Sequence, residues 1–288
     1  MSIAWPQSLL TEIAERRCVM VLGSGVSAAS ENVNGKRPPG WHDFLESGIG
    51  RIKNEGDRGA ASEQLQKGAF LDAAQIIVDS LGSADFGLFL RQELENPCFK
   101  PAELHKLIVR IDPKIVITTN YDRIYESWAT QGSAAAGYNV CRYYEEHIVN
   151  DLRSNRRLII KAHGCVSDPQ KIVLTRSQYF MARRDYPQFF STLDAIFLTN
   201  TLLFIGSGFN GDPDIELLLQ NVNISAPSKH THFAIVEAGR HSSVIRAMEE
   251  TYNIKFLEYP AGQHSHVVEA LRELADDVDS FRAVSSLS

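Results

Sequence analysis

Short apolar runs that stop abruptly at glycine or at a polar cluster recur along this chain, and they leave few folds open. CVMVLGSG (18–25), an apolar run at 114–118, LIIKA (158–162), IVL (172–174), LLFIG (202–206), HFAIV (232–236) and IKFLE (254–258) read as strands. Nearly continuous apolar character marks strands covered on both faces. Helical stretches lie between several of them, including 212–222 and 264–282. The alternation predicts an α/β fold, a Rossmann-like mostly parallel sheet with helices on both faces. Residues 42–110 are too long for a simple crossover, and LDAAQIIVDSL and FGLFLRQEL are spaced for amphipathic helices. The expectation is a single domain over 1–288 with a small inserted helical subdomain at about 42–110.

Bulk properties narrow the function classes. The 288 residues are 44% hydrophobic and 22% charged, with a net charge of -6 and scattered Lys and Arg. Direct nucleic-acid binding is not expected, because it would show as a basic patch. MSIAWPQSLLTEIAERR lacks the uninterrupted apolar core of a signal peptide. No apolar run approaches the ~20 residues of a membrane span, so a cytoplasmic protein is expected. Cys18, Cys98, Cys141 and Cys165 form no C-x-x-C pair. A zinc site of paired cysteines is therefore not expected, and free thiols are.

In a parallel sheet, ligands bind beyond the carboxyl ends of the strands. Four such ends stand out. Gly23-Ser24-Gly25-Val26-Ser27-Ala28 fits G-x-G-x-x-G/A between a strand and a helix. That pattern suits a diphosphate, and equally a bare strand-to-helix turn. The acid expected at a second strand tip in a dehydrogenase has no counterpart, since Asp43 and Glu46 follow a proline-rich loop. The run Ile115-Val116-Ile117 ends in Thr118-Thr119-Asn120-Tyr121-Asp122. A helix N-cap accounts for one of Asn120 and Asp122, but not for both together with two threonines. His163 ends LIIKA and precedes Gly164, a setting for a general base. Gly206-Ser207-Gly208 forms a second glycine turn, after which Asp212-Pro213 reads as a helix start.

Together GSGVSAAS, TTNYD, KAHG and IGSGFNGDPDI, in that order and spacing, resemble the sirtuin-like NAD-consuming fold over about residues 16–275. PPGWHDFL and KIVLTRSQY resemble its bacterial branch, whose members often serve in anti-phage defence and lack the zinc module. Protein-deacylating sirtuins carry glutamine where this chain has Thr119, and a four-cysteine zinc module after the His-Gly motif. The resemblance therefore implies NAD binding and nicotinamide cleavage more strongly than deacylation, with NAD as substrate and no zinc.

It implies Asn120 and His163 as catalytic residues. The NAD-binding set is Gly23, Ser24, Gly25, Ser27, Thr119, Asp122, Gly206, Ser207 and Gly208. The diphosphate would lie along Gly23 to Ser27, the adenosine near Gly206 to Gly208, and the nicotinamide ribose before Asn120 and His163. The loop 30–41, with Lys36, Arg37 and Trp41, either closes over the ribose or stays exposed. His230 with His232, and the pair in QHSHV, read as surface histidines because no carboxylate or cysteine cluster accompanies them. No G-x-S-x-G elbow is present.

The first reading is an NAD glycohydrolase releasing ADP-ribose and nicotinamide. A deacylase using NAD, and a silent NAD- or ADP-ribose-binding module, are the alternatives. A freely active NAD hydrolase would poison its cell. A homo-oligomer and a regulatory partner are thus expected, and family context suggests an ATPase/translocase or a short Argonaute-type protein. The apolar helices within 65–95 are a candidate interface, or simply a face packed on the sheet.

Overall fold

The computed structural model describes residues 3–131, 137–207, 219 and 230–285. Among them, seven strands form one sheet: β1 (Cys18–Leu22), β2 (Ile115–Thr118), β3 (Tyr138–Arg142), β4 (Arg157–Lys161), β5 (Thr201–Ile205), β6 (His232–Glu237) and β7 (Ile254–Tyr259). Their order is β3-β4-β2-β1-β5-β6-β7, and every neighbouring pair runs parallel. From β1 the chain works outward on one side, then returns to β5 on the other. The strand order thus reverses between β1 and β5, and in open parallel sheets ligands bind at the carboxyl ends beside such a switch point.

The strands are apolar throughout because helices cover both faces. Val19, Val21, Ile117 and Phe204 point to one side, where Phe189 and Phe197 of the helix Pro187–Thr199 pack on them. Met20, Leu22, Val116 and Leu203 point to the other, against Leu271 and Leu274 of the helix Ser265–Ser285. The alternation follows the two-residue period of a strand.

Helices Trp41–Ile49, Glu55–Gln66, Phe70–Leu94 and Glu103–Ile111 fill the long segment before β2. The first three build a third core of Phe44, Leu45, Ile77 and Phe89, joined by Cys165, Val166, Ile172 and Leu174. This places them beyond the carboxyl ends of β2 and β4. The fourth packs Leu104, Leu107 and Ile108 on a sheet face instead. By length and composition Phe70–Leu94 is apolar enough to cross a membrane. Its backbone breaks at Gly82, φ 70°, and Ala73, Ile77, Phe89 and Leu90 are buried in the third core.

One expected strand is absent from the sheet, and one observed strand was not expected. Ile172-Val173-Leu174 is buried but is no strand: Val173 N–H donates to the carbonyl of His163 at 3.1 Å, so the segment folds back on the end of β4. The strand β3 (YNVCR) replaces it at the sheet edge, with only Tyr138 and Cys141 buried. The stretch 212–222 lies, apart from the buried Leu219, outside the described residues.

Candidate active site

The turns after β1 and β5 are packed backbone to backbone. Gly23 N–H donates to Ile205 O at 3.0 Å, and Gly25 N–H to Gly206 O at 2.9 Å. A Cβ on Gly23 would lie 2.6 Å from Gly206 O, and one on Gly206 (φ +68°) would lie 2.5 Å from Val26 N. The glycines of the two motifs therefore serve first to bring two strand ends together. The Gly23 and Gly25 amides are tied to the end of β5 and the turn after it; Gly23 is buried there, while Ser24 and Gly25 are exposed beside it. Gly208, Asp212 and Pro213 lie outside the described residues.

The turn after β2 is held by its own side chains. Thr118 Oγ1 donates to Leu22 O at 3.0 Å and accepts from Asn120 N at 3.1 Å. The Asn120 amide donates to Gly23 O and to Ser27 Oγ, both at 2.9 Å. Ser27 in turn donates to Asp122 Oδ2 at 2.6 Å, and Asp122 Oδ1 accepts from Ile124 N at 2.9 Å. The chemistry fixes the amide's orientation. A carboxylate and a carbonyl only accept, so the Ser27 proton points to Asp122 and the Asn120 NH2 points inward. Asn120 Oδ1 is left as the acceptor on a residue that lines the cleft. Asp122 thus does what a helix cap does, and also sets the Ser27–Asn120 chain. Thr119 N–H donates weakly to Leu22 O, at 3.4 Å.

His163 follows β4 and is 3% exposed. Gly164, at φ +84°, turns the chain under it, where a Cβ would lie 2.5 Å from Lys171 O. The Tyr179 ring stands edge-on to the imidazole with centroids 5.1 Å apart, and its hydroxyl lies 3.4 Å from Nδ1. Tyr121 OH donates to Val173 O at 2.8 Å, and Val166 N–H to Tyr121 O at 2.8 Å, so the segment after Gly164 is sewn to the turn after β2.

These parts meet in one cleft of about 880 Å3, counting the solvent at its mouth. Gly23, Ser24, Ser27, Asn120, His163 and Gly206 line it, with Thr119, Asp122 and Ser207. Gly25 is packed against Gly206 and is absent from the lining. The rest of the lining is largely apolar and aromatic: Pro38, Pro39, Trp41, Phe44, Tyr121 and Tyr179. The loop 30–41 thus contributes its proline and Trp41 end, while Lys36 pairs with Glu93 at 3.2 Å. A cleft with a few convergent polar groups and an aromatic wall suits a ligand with a flat ring and hydroxyl-bearing sugars.

Sequence reading missed Tyr179 and Phe44, although both lie in stretches, KIVLTRSQY and PPGWHDFL, that carried the family resemblance. It also misjudged His232. That side chain is buried, accepts from Leu202 N at 3.2 Å through Nδ1, and has its pKa pushed down to about 4 by burial. The four cysteines are free thiols, with Cys18, Cys141 and Cys165 buried and Cys98 exposed.

A profile described as a SIR2-like domain matches residues 114–257, half of the 288-residue chain. The chain belongs to the SIR2-like family. The match runs from β2 through β7 and includes Asn120 and His163. The SIR2-like chain is 22% identical over 156 residues to NAD(+) hydrolase ThsA of Acinetobacter baumannii (strain 532279), covering 54% of this chain and 32% of that protein. It is 27% identical over 229 residues to Defense-associated sirtuin 2 of Bacillus subtilis, covering 76% and 20%. With NAD(+) hydrolase ThsA of Cytobacillus dafuensis the identity is 24% over 224 residues, covering 76% and 40%. The matched region spans a fifth to two fifths of these relatives' lengths.

Proposed function

We propose that this SIR2-like chain is an NAD glycohydrolase, cleaving NAD with water to ADP-ribose, nicotinamide and a proton, and acting as an NAD-depleting effector in bacterial anti-phage defence. The carrying observation is that Asn120 and His163, from the ends of two different strands, line one cleft beside the Gly23 and Gly206 turns. Relatives named NAD(+) hydrolase and defense-associated sirtuin support the same reading. On this reading 1–288 acts as one NAD-binding domain, with the helices of about 42–110 as its insertion.

Loss of nicotinamide leaves an oxocarbenium-like ribose carbon. Asn120 Oδ1 holds the ribose and the attacking water, since its NH2 is engaged inward. His163 takes the water's proton as the new C–O bond forms, the task of a general base. Asp122, close behind through Ser27, contributes negative charge next to the developing cation. The aromatic wall of Trp41, Phe44 and Tyr179 takes the nicotinamide ring. The diphosphate runs past Ser24 and Ser27, and the adenosine towards Ser207. The chain works in the cytoplasm as a homo-oligomer, with a regulatory partner protein controlling the site.

Incubating pure protein with NAD, with and without an acylated peptide, tests the proposal. Peptide-independent release of nicotinamide with ADP-ribose is expected. Strictly acyl-dependent release would make the protein a deacylase, and binding without turnover a silent module.

A further inference from the structure

Lys161 is the last residue of β4 and is fully buried. Its ammonium lies 2.9 Å from Glu126 Oε1 and donates to the backbone carbonyl of Asp122. Glu126, in the helix Ile124–Ala129, is itself 6% exposed. Burial pulls the ammonium's pKa down, but Glu126, Cys165 and Asp122 more than offset this and raise it. Lys161 therefore stays charged.

Such a pair is an expensive way to hold a fold. Desolvating two ions consumes most of their attraction, and apolar residues of similar volume often serve stability as well or better. What apolar residues lack is direction: an ammonium fixes a carbonyl and a carboxylate at set distances and angles. Here the direction matters. Lys161 stands two residues before His163, and its two acceptors lie at the end of the turn that carries Asn120 and in the helix that follows it. The β2–β4 ladder ends at Ala162 N–H to Thr118 O, at 3.0 Å. Beyond it the two ends are tied by Val166 N–H to Tyr121 O, at 2.8 Å, and by the Lys161 contacts to Asp122 and Glu126.

We propose that Lys161 and Glu126 are positioning residues for the NAD-cleaving site, a buried charged strut that sets the Asn120 turn against the His163 strand end. Neither touches substrate, since both are buried and neither lines the cleft. Their part is the spacing between the acceptor on Asn120 and the imidazole. This rests on the glycohydrolase reading given above.

The test compares wild type, Lys161→Met, Glu126→Gln and the double variant Lys161→Met/Glu126→Leu. Each single variant leaves a buried group unpaired and is open to unfolding, so the double variant decides. It removes both charges, and its melting temperature is expected to return close to that of wild type. Its kcat for nicotinamide release is expected to stay about 100-fold down, the scale of an ångström misplacement. KM for NAD should change little, because the paired Gly23 and Gly206 turns are untouched. A double variant with wild-type kcat would overturn the strut, as would a kcat that recovers in step with melting temperature. If wild type itself releases no nicotinamide, the glycohydrolase reading fails, and the strut is then judged by crystallography. A turn 118–122 displaced from the Gly164 strand end in the double variant supports it, and a superimposable turn overturns it.

Discussion

Ser27 donates its hydroxyl to Asp122 at 2.6 Å, and that bond, together with the Gly23 carbonyl, sets which way the Asn120 amide faces. With the Ser27 proton committed, only the NH2 of Asn120 can meet Ser27 Oγ, and the amide oxygen is turned outward.

Ser27→Ala removes the relay and leaves the backbone around the cleft in place. The fold is expected to lose about 1 kcal/mol, the ordinary net worth of a hydrogen bond. Nicotinamide release should fall by roughly 10–100-fold, as Asn120 loses its fixed orientation. Urea melts alongside steady-state kinetics read both. Unchanged turnover would mean that Gly23 O alone orients the amide.

Two glycines with similar backbones separate strain from crowding. Gly206 (φ +68°) and Gly262 (φ +72°) both adopt a left-handed conformation, but a Cβ meets Val26 N at 2.5 Å in the first and nothing within 4 Å in the second. Gly262→Ala should cost about 1–2 kcal/mol of conformational strain. Gly206→Ala should cost clearly more, on the order of 3 kcal/mol or above, because backbone must move as well. Equal losses in thermal melts would contradict the close approach of the two strand ends.

The protein should weaken in mild acid. Burial pushes the pKa of His105 down to about 4, against a smaller opposing effect of Asp122, and that of His232 down to about 4. Both are neutral in the fold, while an unfolded histidine titrates near ~6.5. Between these values the unfolded state binds more protons, so stability is full above about 6.5 and falls as pH drops towards about 4. Each histidine accounts for on the order of 3 kcal/mol over that window. Denaturation midpoints measured from pH 7.5 to 4.5 should show the slope. His232→Asn, which keeps an acceptor for Leu202 N–H, should flatten it, and an unchanged slope would rule His232 out as a source.

Chelators should leave the protein folded. Cys18 is on β1 and Cys141 on β3, at different places in the sheet, Cys165 is buried after Gly164, and Cys98 is on the surface. Melting temperature with and without EDTA is expected to agree. Metal analysis finding about one tightly held zinc per chain would contradict this, and the group of Cys141, His147 and Asp151 would be the place to look.

The central strands were legible because a strand covered on both faces has little choice of residue: β1, β2 and β5 are buried at every position. The edge strand β3 was not, because Asn139 and Arg142 sit half exposed and its pattern is that of a loop. Ile172-Val173-Leu174 misled for the opposite reason, since it is buried by the helices of the third core and by Tyr179 and not by neighbouring strands. Asn120 and His163 could be found because polar residues at the end of an apolar run are conspicuous. Tyr179 and Phe44 reach the cleft from helices whose facing is settled only by tertiary packing. Lys161 gave no sign of its burial, because the carboxylate that makes it tolerable comes from a helix 35 positions away.

The most direct test is a double-mutant cycle on nicotinamide release from NAD, with Asn120→Ala, His163→Ala and the two combined. If the two strand ends build one site, each single variant should abolish most turnover while still melting in one cooperative transition, and the double should be little worse than either. Near-normal turnover in Asn120→Ala, or losses that multiply in the double variant, would contradict a shared site.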